Sequence, residues 1–167
     1  MRIETTKLEG VKRIYTPVFE DDRGLNRPLY DSVDYKQLGI DFIQDSISVS
    51  RRNVLRGIHS DSQTWKLVAC LYGAIYLVVV DCDSYSRQFG KWVPFILSAD
   101  RGLQVLIGPS YGTGHLILTE WAVFHYKQST HYDRKSQSTH RYDDERFNIE
   151  WPIAYPILSE RDKNAIS

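Results

Sequence analysis

His59 closes the run Asn53-Val54-Leu55-Arg56-Gly57-Ile58-His59, Lys66 stands six intervening residues further on at the head of an apolar stretch, and Tyr126 lies within Phe124-His125-Tyr126-Lys127. An imidazole, an ammonium and a phenol suit reversible proton transfer beside a ketone. The imidazole removes a C–H proton, the cation steadies the enolate, and the phenol returns a proton. Such a set needs no covalent nucleophile. Taken singly, each residue has a plain alternative: a lone histidine is more often a hydrogen-bonded core or surface group, Lys66 suits a solvated strand end, and Tyr126 shares strand parity with Phe124 and could simply pack beside it. In a strict pleat Arg56 and His59 point to opposite faces, so bringing both to one pocket requires a bulge or bend at Gly57.

Short apolar segments at 43–50, 67–71, 74–80, 92–97, 103–107, 115–118 and 122–127 recur between turn residues, and aromatics make up 13% of the chain. Long amphipathic helical windows between them are missing. The pattern predicts an all-β fold, an antiparallel sandwich or jelly roll with a few short helices. Residues 46–50 alternate as a half-buried strand should, and 67–80 is expected to fold back at Tyr72-Gly73 as a core hairpin. Asp31 as N-cap and Gly39 as C-terminal stop predict a short helix over 31–39, and the chain is expected to turn helical again after Ser159. No repeat, linker or low-complexity segment breaks the 167 residues, so 1–167 reads as a single domain.

Lys plus Arg and Asp plus Glu both number 21, and without a basic stripe nucleic acid is not an expected partner. Residues 1–7 lack an apolar leader core, and the longest apolar run, 67–80, is interrupted by Gly73 and too short for an ordinary membrane span, which predicts a soluble cytoplasmic protein. Cys70 and Cys82 lack metal-ligand spacing and read as buried, reduced thiols. His59 has no second histidine two residues on, and His115 lacks companions at ligand spacing, so no metal is expected.

The runs 53–59, Trp65-Lys66-Leu67-Val68, Val79-Val80-Asp81-Cys82 and Pro156-Ile157-Leu158-Ser159-Glu160-Arg161-Asp162 give the chain a likeness, from about Asp21 to Asp162, to a known family. It resembles the cupin sugar-nucleotide epimerases, the dTDP-4-dehydrorhamnose 3,5-epimerase family, with a closer likeness to the branch acting on GDP-4-keto-heptoses in bacterial capsular polysaccharide synthesis. The resemblance implies a cupin-type jelly roll, inversion of C3 and/or C5 of a nucleotide-activated 4-keto sugar, no cofactor, and a homodimer with an exchanged N-terminal strand. By the same resemblance His59 is the general base, Tyr126 the phenolic acid on the opposite side of the sugar ring, Lys66 the cation near the C4 oxygen, and Asp162 the carboxylate that pairs with the histidine. Arg23 and Arg56 match residues that contact substrate and diphosphate, where a guanidinium fork makes charge-assisted bidentate bonds. Gln44, Ser46, Tyr132 and Arg161 align with further ligand-contacting positions. Thr113 takes the position of a family histidine. Asp162 has a second reading, because Ser159-Glu160-Arg161-Asp162 is close to a capping box. One carboxylate is not expected to serve both roles fully.

Several positions depart from the rhamnose-pathway pattern. Ser60-Asp61 follows His59 in place of an aromatic and Gln, the His59–Lys66 connection is shorter, and His115 falls at an aromatic position. Gln137 replaces a Glu, and Leu25-Asn26-Arg27-Pro28 replaces an aromatic and acidic segment. The changes after His59 alter the loop beside the pocket, while those at Thr113 and His115, at Gln137 and over 25–28 bear on sugar and nucleotide contacts more than on proton transfer. The alternatives are a sugar-nucleotide 3,4-ketoisomerase and a non-catalytic sugar-binding cupin.

Overall fold

The computed structural model describes residues 1–165; the last two positions of the expected 1–167 domain lie outside the described residues. The strands are β1 (Arg2–Thr5), β2 (Val11–Tyr15), β3 (Phe19–Asp21), β4 (Gly24–Asn26), β5 (Gln44–Arg51), β6 (Leu55–Ser60), β7 (Lys66–Tyr72), β8 (Ala74–Asp81), β9 (Trp92–Ser98), β10 (Leu103–Ile107), β11 (Tyr111–Ile117), β12 (Trp121–Gln128) and β13 (Ser138–Thr139). They form a six-stranded sheet in the order β1-β2-β10-β7-β12-β5, a five-stranded sheet in the order β13-β6-β11-β8-β9, and the small hairpin β3-β4. Every strand pair is antiparallel. This is the all-β jelly roll expected from the recurrence of short apolar segments.

The expected core hairpin at 67–80 is corrected. The chain does turn at Gly73, but β7 belongs to the six-stranded sheet and β8 to the five-stranded one, so the two strands face each other across the sandwich. Gly73 makes this corner with φ +70°, and a Cβ there would lie 2.3 Å from both Thr119 Oγ1 and Trp121 O. Only glycine fits that combination. Both expected helices form. In α1 (Ser32–Tyr35), extended by a 3-10 turn over Lys36–Leu38, Asp31 accepts from the Val33 and Asp34 amides and Gly39 ends the turn in the left-handed region. The second is α2 (Glu160–Lys163), with Ser159 as its N-cap.

The main core joins the sheets through Val68 and Cys70 of β7, Ile75, Leu77 and Val79 of β8, Phe95 and Leu97 of β9, and Val105 and Ile107 of β10. Cys70 is buried and Cys82 half-buried, and both are free thiols, with burial pushing them up to about 11 and about 12. Outside the six-stranded sheet, Tyr35 packs with Ile14, Leu67 and Leu106; outside the five-stranded sheet, Phe147 packs on Ile58 and Val80. The alternation over 46–50 is present, but its covered half is polar. Ser46 and Ser48 are half-buried and Ser50 is buried, while Ile47 and Val49 remain 60% and 55% exposed. Among the described residues no helix is long and apolar enough to cross a membrane.

Candidate active site

A cavity of about 400 Å³ opens between the two sheets. The five-stranded sheet supplies Arg56 and His59 from β6 and Thr113 and His115 from β11. The six-stranded sheet supplies Ser48 from β5, Lys66 and Val68 from β7, and Phe124, Tyr126 and Gln128 from β12. Loop residues Tyr132, Arg134 and Gln137 and the helix-proximal Ser159, Arg161 and Asp162 complete the lining.

Arg56 and His59 reach one cavity because β6 bulges. Arg56 lies opposite His115 and His59 opposite Thr113, so three steps along β6 match two along β11. The extra residue falls at Gly57–Ile58. Gly57 has φ +120°, and a Cβ there would lie 2.4 Å from the Thr113 carbonyl oxygen, so backbone conformation and interstrand approach both demand glycine.

His59 Nε2 lies 2.7 Å from Asp162 Oδ1. The Ser159 hydroxyl donates to Asp162 Oδ2 at 2.9 Å and accepts from the Asp162 amide at 3.2 Å. Asp162 thus pairs fully with the histidine and joins the cap only in part, since its carboxylate meets the Ser159 hydroxyl and, among the described residues, not the Ser159 amide of a complete capping box. Its two oxygens point different ways, one to the imidazole and one to the capping hydroxyl. Burial pushes the Asp162 carboxyl up, but the His59, Ser159 and Gly57 hydrogen bonds together outweigh it and hold the group below the usual carboxylate range.

Lys66 and Asp61 form a buried ion pair, Nζ to Oδ2 3.3 Å. Burial lowers the Lys66 ammonium, and Asp61 works against that loss. His115 stacks on Phe124 with ring centroids 4.1 Å apart. Its burial, with the Arg56 guanidinium and the His59 imidazole nearby, drives it down to about 3, so it is a neutral hydrogen-bonding group and too weak a base to take a proton near neutral pH. Ser48 Oγ, His115 Nε2 and Gln128 Oε1 are buried without a hydrogen-bond partner among the described residues, although all three side chains line the cavity. Unpaired buried polar atoms are costly, and a ligand rich in hydroxyls would satisfy them.

Eight of the eleven residues singled out from the sequence line this cavity: His59, Lys66, Tyr126, Asp162, Arg56, Thr113, Tyr132 and Arg161. Arg56 Nε donates to Ser50 Oγ, and Arg161 donates to Thr139 Oγ1 and Gln137 Oε1, which fixes both guanidinium groups. The other three lie elsewhere. Gln44 and Ser46 share the inward face of β5 but stand outside the lining; Gln44 Oε1 accepts from the Tyr132 amide at 2.7 Å and so buttresses the loop that carries that ring. Arg23, on the β3-β4 hairpin, pairs among the described residues only with Asp21, its side chain 90% exposed. Sequence reading passed over Ser48, Gln128 and Arg134, and read Ser159 only as a helix cap. Strand parity would have found two of them: Ser48 follows Ser46 on one face, and Gln128 follows Tyr126. Among the described residues no group of three or more His, Cys, Asp and Glu side chains is arranged to hold a metal ion.

Residues 5–167 match the family model described as dTDP-4-dehydrorhamnose 3,5-epimerase. The chain belongs to the dTDP-4-dehydrorhamnose 3,5-epimerase family. It is 36% identical to the dTDP-4-dehydrorhamnose 3,5-epimerase of Escherichia coli strain K12, over 98% of this chain and 92% of that protein. It is similar in structure to dTDP-6-deoxy-D-glucose-3,5-epimerase from Legionella pneumophila in complex with dTDP-4-keto-L-rhamnose, with a TM-score of 0.92 and 33% identity covering 98% of this chain and 90% of that one. A 3'-monoepimerase from Streptomyces bikiniensis in complex with dTDP-quinovose matches with a TM-score of 0.90 and 30% identity, covering 96% and 84%. As a member of the 3,5-epimerase family, the chain is an enzyme of the isomerase class, a carbohydrate epimerase with a cupin-like fold.

Proposed function

We propose that this enzyme inverts C3, C5 or both in a nucleotide-activated 4-keto sugar, with His59 as base, Tyr126 as acid and Lys66 as the cation that holds the enolate. The observation that carries this reading is the origin of the two proton-transfer groups in opposite sheets. His59 projects from β6 of the five-stranded sheet, and Tyr126 from β12 of the six-stranded sheet, into one cavity. A sugar ring between them presents one face to the imidazole and the other to the phenol, as inversion requires. The C4 ketone acidifies the neighbouring C–H bonds; His59 takes a proton, the electron pair moves to the C4 oxygen, and the Lys66 ammonium stabilises the charge. Tyr126 then protonates the carbon from the opposite face. Asp162 holds the imidazole in orientation and offsets the charge it acquires. The step is redox-neutral and leaves the carbonyl where it was.

Arg56 and Arg161 are tethered at the rim and suit a diphosphate; Tyr132 offers a ring for stacking on base or sugar, and Thr113 adds a hydroxyl beside His59. The substrate we propose is a GDP-4-keto-heptose of bacterial capsular polysaccharide synthesis, on the likeness of residues 53–59 and 156–162 to that branch and on the departures at Asp61, Thr113 and His115. A dTDP-4-keto-6-deoxyhexose is the second reading, favoured by what the named relatives act on. We further propose a cytoplasmic homodimer. The outer face of β5 and β12 leaves Ile47, Val49 and Trp121 about half-exposed, an apolar patch that a second copy would cover, and Arg23, exposed and outside the cavity lining of its own chain, would meet substrate from the neighbouring subunit. Sedimentation at micromolar concentration should return twice the chain mass; a monomer removes both the dimer and Arg23 from the site.

Incubation in D2O with each 4-keto sugar nucleotide, followed by proton NMR, tests the function. Deuterium should enter at C3, C5 or both of the true substrate, with inverted product accumulating and the ketone remaining at C4. A ketone carbon that moves indicates a 3,4-ketoisomerase, and label entering neither sugar nucleotide overturns the proposal.

A further inference from the structure

The connection between base and cation is built on one carboxylate. β6 ends at Ser60 and β7 begins at Lys66, in opposite sheets, so residues 61–65 must carry the chain from one wall of the cavity to the other. Asp61 organises this crossing. Its Oδ1 accepts from the amides of Gln63 at 3.1 Å and Thr64 at 2.7 Å, closing the turn, while its carbonyl oxygen accepts from the Ser110 amide at 2.7 Å and ties the turn to the start of β11. The second carboxylate oxygen, Oδ2, is left for Lys66 Nζ at 3.3 Å. Both side chains are buried, at 5% and 9% exposure. Thr64 and Trp65 are pinned from the other side by Thr130 and Ser129 hydroxyls, so neither end of the pair is free to drift.

We propose that Asp61 is a positioning residue of the reaction, folding the base-to-lysine connection with one carboxylate oxygen and holding the Lys66 ammonium charged and aimed into the cavity with the other. The proposal rests on the reading of Lys66 as the enolate-stabilising cation. A buried lysine without a counter-charge sheds its proton readily, and neutral Lys66 would leave a developing C4 oxyanion unsupported. Burial already lowers Lys66, and Asp61 is the largest influence in the other direction, with Cys82 a lesser one; His59, Tyr126 and Arg134 face the same cavity. The Asp61 carboxyl itself is pushed up by burial, yet Thr64, Lys66 and the Gln63 amide more than reverse this and keep it an anion. The sequence difference noted at this position, an acid where rhamnose-pathway members carry Gln, thus has a mechanical consequence.

Asp61→Asn keeps an acceptor for the turn and removes the charge. In protein carrying 13C-labelled lysine and no substrate, the Lys66 side-chain resonance, assigned by its disappearance in Lys66→Arg, should titrate about one unit or more lower in Asp61→Asn than in wild type. With substrate, kcat should fall about tenfold per unit of that shift at mildly alkaline pH and recover toward acid pH, while KM changes little. Asp61→Glu, which restores the charge, should return the titration close to wild type. An unchanged Lys66 midpoint, or a kcat ratio constant with pH, overturns the proposal. If Asp61→Asn does not fold, Lys66→Met gives the reciprocal reading: the Asp61 carboxyl should titrate higher than in wild type, and an unmoved carboxyl refutes the pair. The titrations need no turnover, so an inactive wild type would refute the assigned reaction while still leaving Asp61 tested.

Discussion

The space between the two sheets has a sealed end, toward β8, β9 and β10, and an open end, toward β5, β12, β6 and β11; the two meet side by side, with Ile107 opposite Lys66 and Leu77 opposite His115 in register. At the sealed end Leu77, Leu97, Val105 and Ile107 interlock with no exposure at all. At the open end the facing positions carry Ser48, Lys66, Thr113, His115, Tyr126 and Gln128, and the walls stay apart around a cavity. Strand pairing is regular on both sides except at β6, where the bulge re-aims Arg56 and His59, and between β12 and β7, where the register shifts at Val123/Phe124. Side-chain choice therefore separates the two ends more than backbone architecture does. Short hydroxyl and amide side chains on a β face forgo apolar burial and leave polar atoms to be satisfied by a ligand, a cost that the sealed end offsets.

The sharpest way to break this comparison is a pair of substitutions, one at each end. His59→Asn should cut solvent-deuterium exchange beside the ketone by about 10²–10⁴-fold, the range of a lost general base, and lower stability only by the loss of its hydrogen bond to Asp162. Leu77→Ala should do the reverse. Removing a fully buried leucine costs about 2–5 kcal/mol of stability, while exchange per folded molecule at 25 °C stays near wild type. Exchange surviving in folded His59→Asn removes that histidine as base. Loss of turnover in folded Leu77→Ala would mean that the ends are coupled.

Within the open end, Tyr126→Phe should separate the two sheets by function. The ring and its packing against Phe124, at a centroid distance of 5.6 Å, are retained while the phenolic hydroxyl is lost. His59 should still exchange the proton on its own face, so deuterium enters with configuration retained, and inversion falls by about 10²-fold or more relative to wild type. Wild-type inversion would make Tyr126 a packing residue; joint loss of exchange and inversion would end the division of labour between the walls.

The sealed end was largely legible in the sequence, because apolar recurrence specifies strands wherever apolar burial is what holds them. The segment 103–107 matches β10 residue for residue, and Asp31 and Gly39 bounded α1 with its 3-10 extension. The open end was legible as residue types and not as directions. The alternation over 46–50 is real, yet nothing local reveals that serines turn inward and Ile47 and Val49 outward, since that choice is made by a cavity and by surfaces outside the strand. The short polar β6 lacked the apolar run that marks a strand, so its bulge followed only from needing Arg56 and His59 on one side. The expected hairpin at 67–80 failed for a related reason: a tight turn fixes that the chain reverses, and does not fix whether the next strand pairs in the same sheet or crosses to the facing one.

Asp162 is where the two kinds of region meet, and it carries the smallest and most diagnostic effect. Its carboxylate receives the His59 ring on one oxygen and the Ser159 hydroxyl on the other, so the same charge that serves the site also ties α2 to the sandwich. Because its folded-state carboxyl lies below the ordinary value, the charge contributes stability that is fully present above the unfolded value near 4 and is lost as pH falls through the folded one. Asp162→Asn should therefore lower stability at pH 7 by about 1.5–2 kcal/mol, the lower part of the range for hydrogen bonds to a charged group, and should differ less from wild type on the acid side. Urea unfolding at pH 7 and near pH 3 reads this directly. A deficit that is the same at both values would assign the loss to shape alone. A deficit that shrinks toward acid, together with slowed exchange at neutral pH, would locate one ionised carboxylate in both the helix cap and the catalytic pair, and so mark the one place where the open end of the sandwich contributes to holding the molecule together.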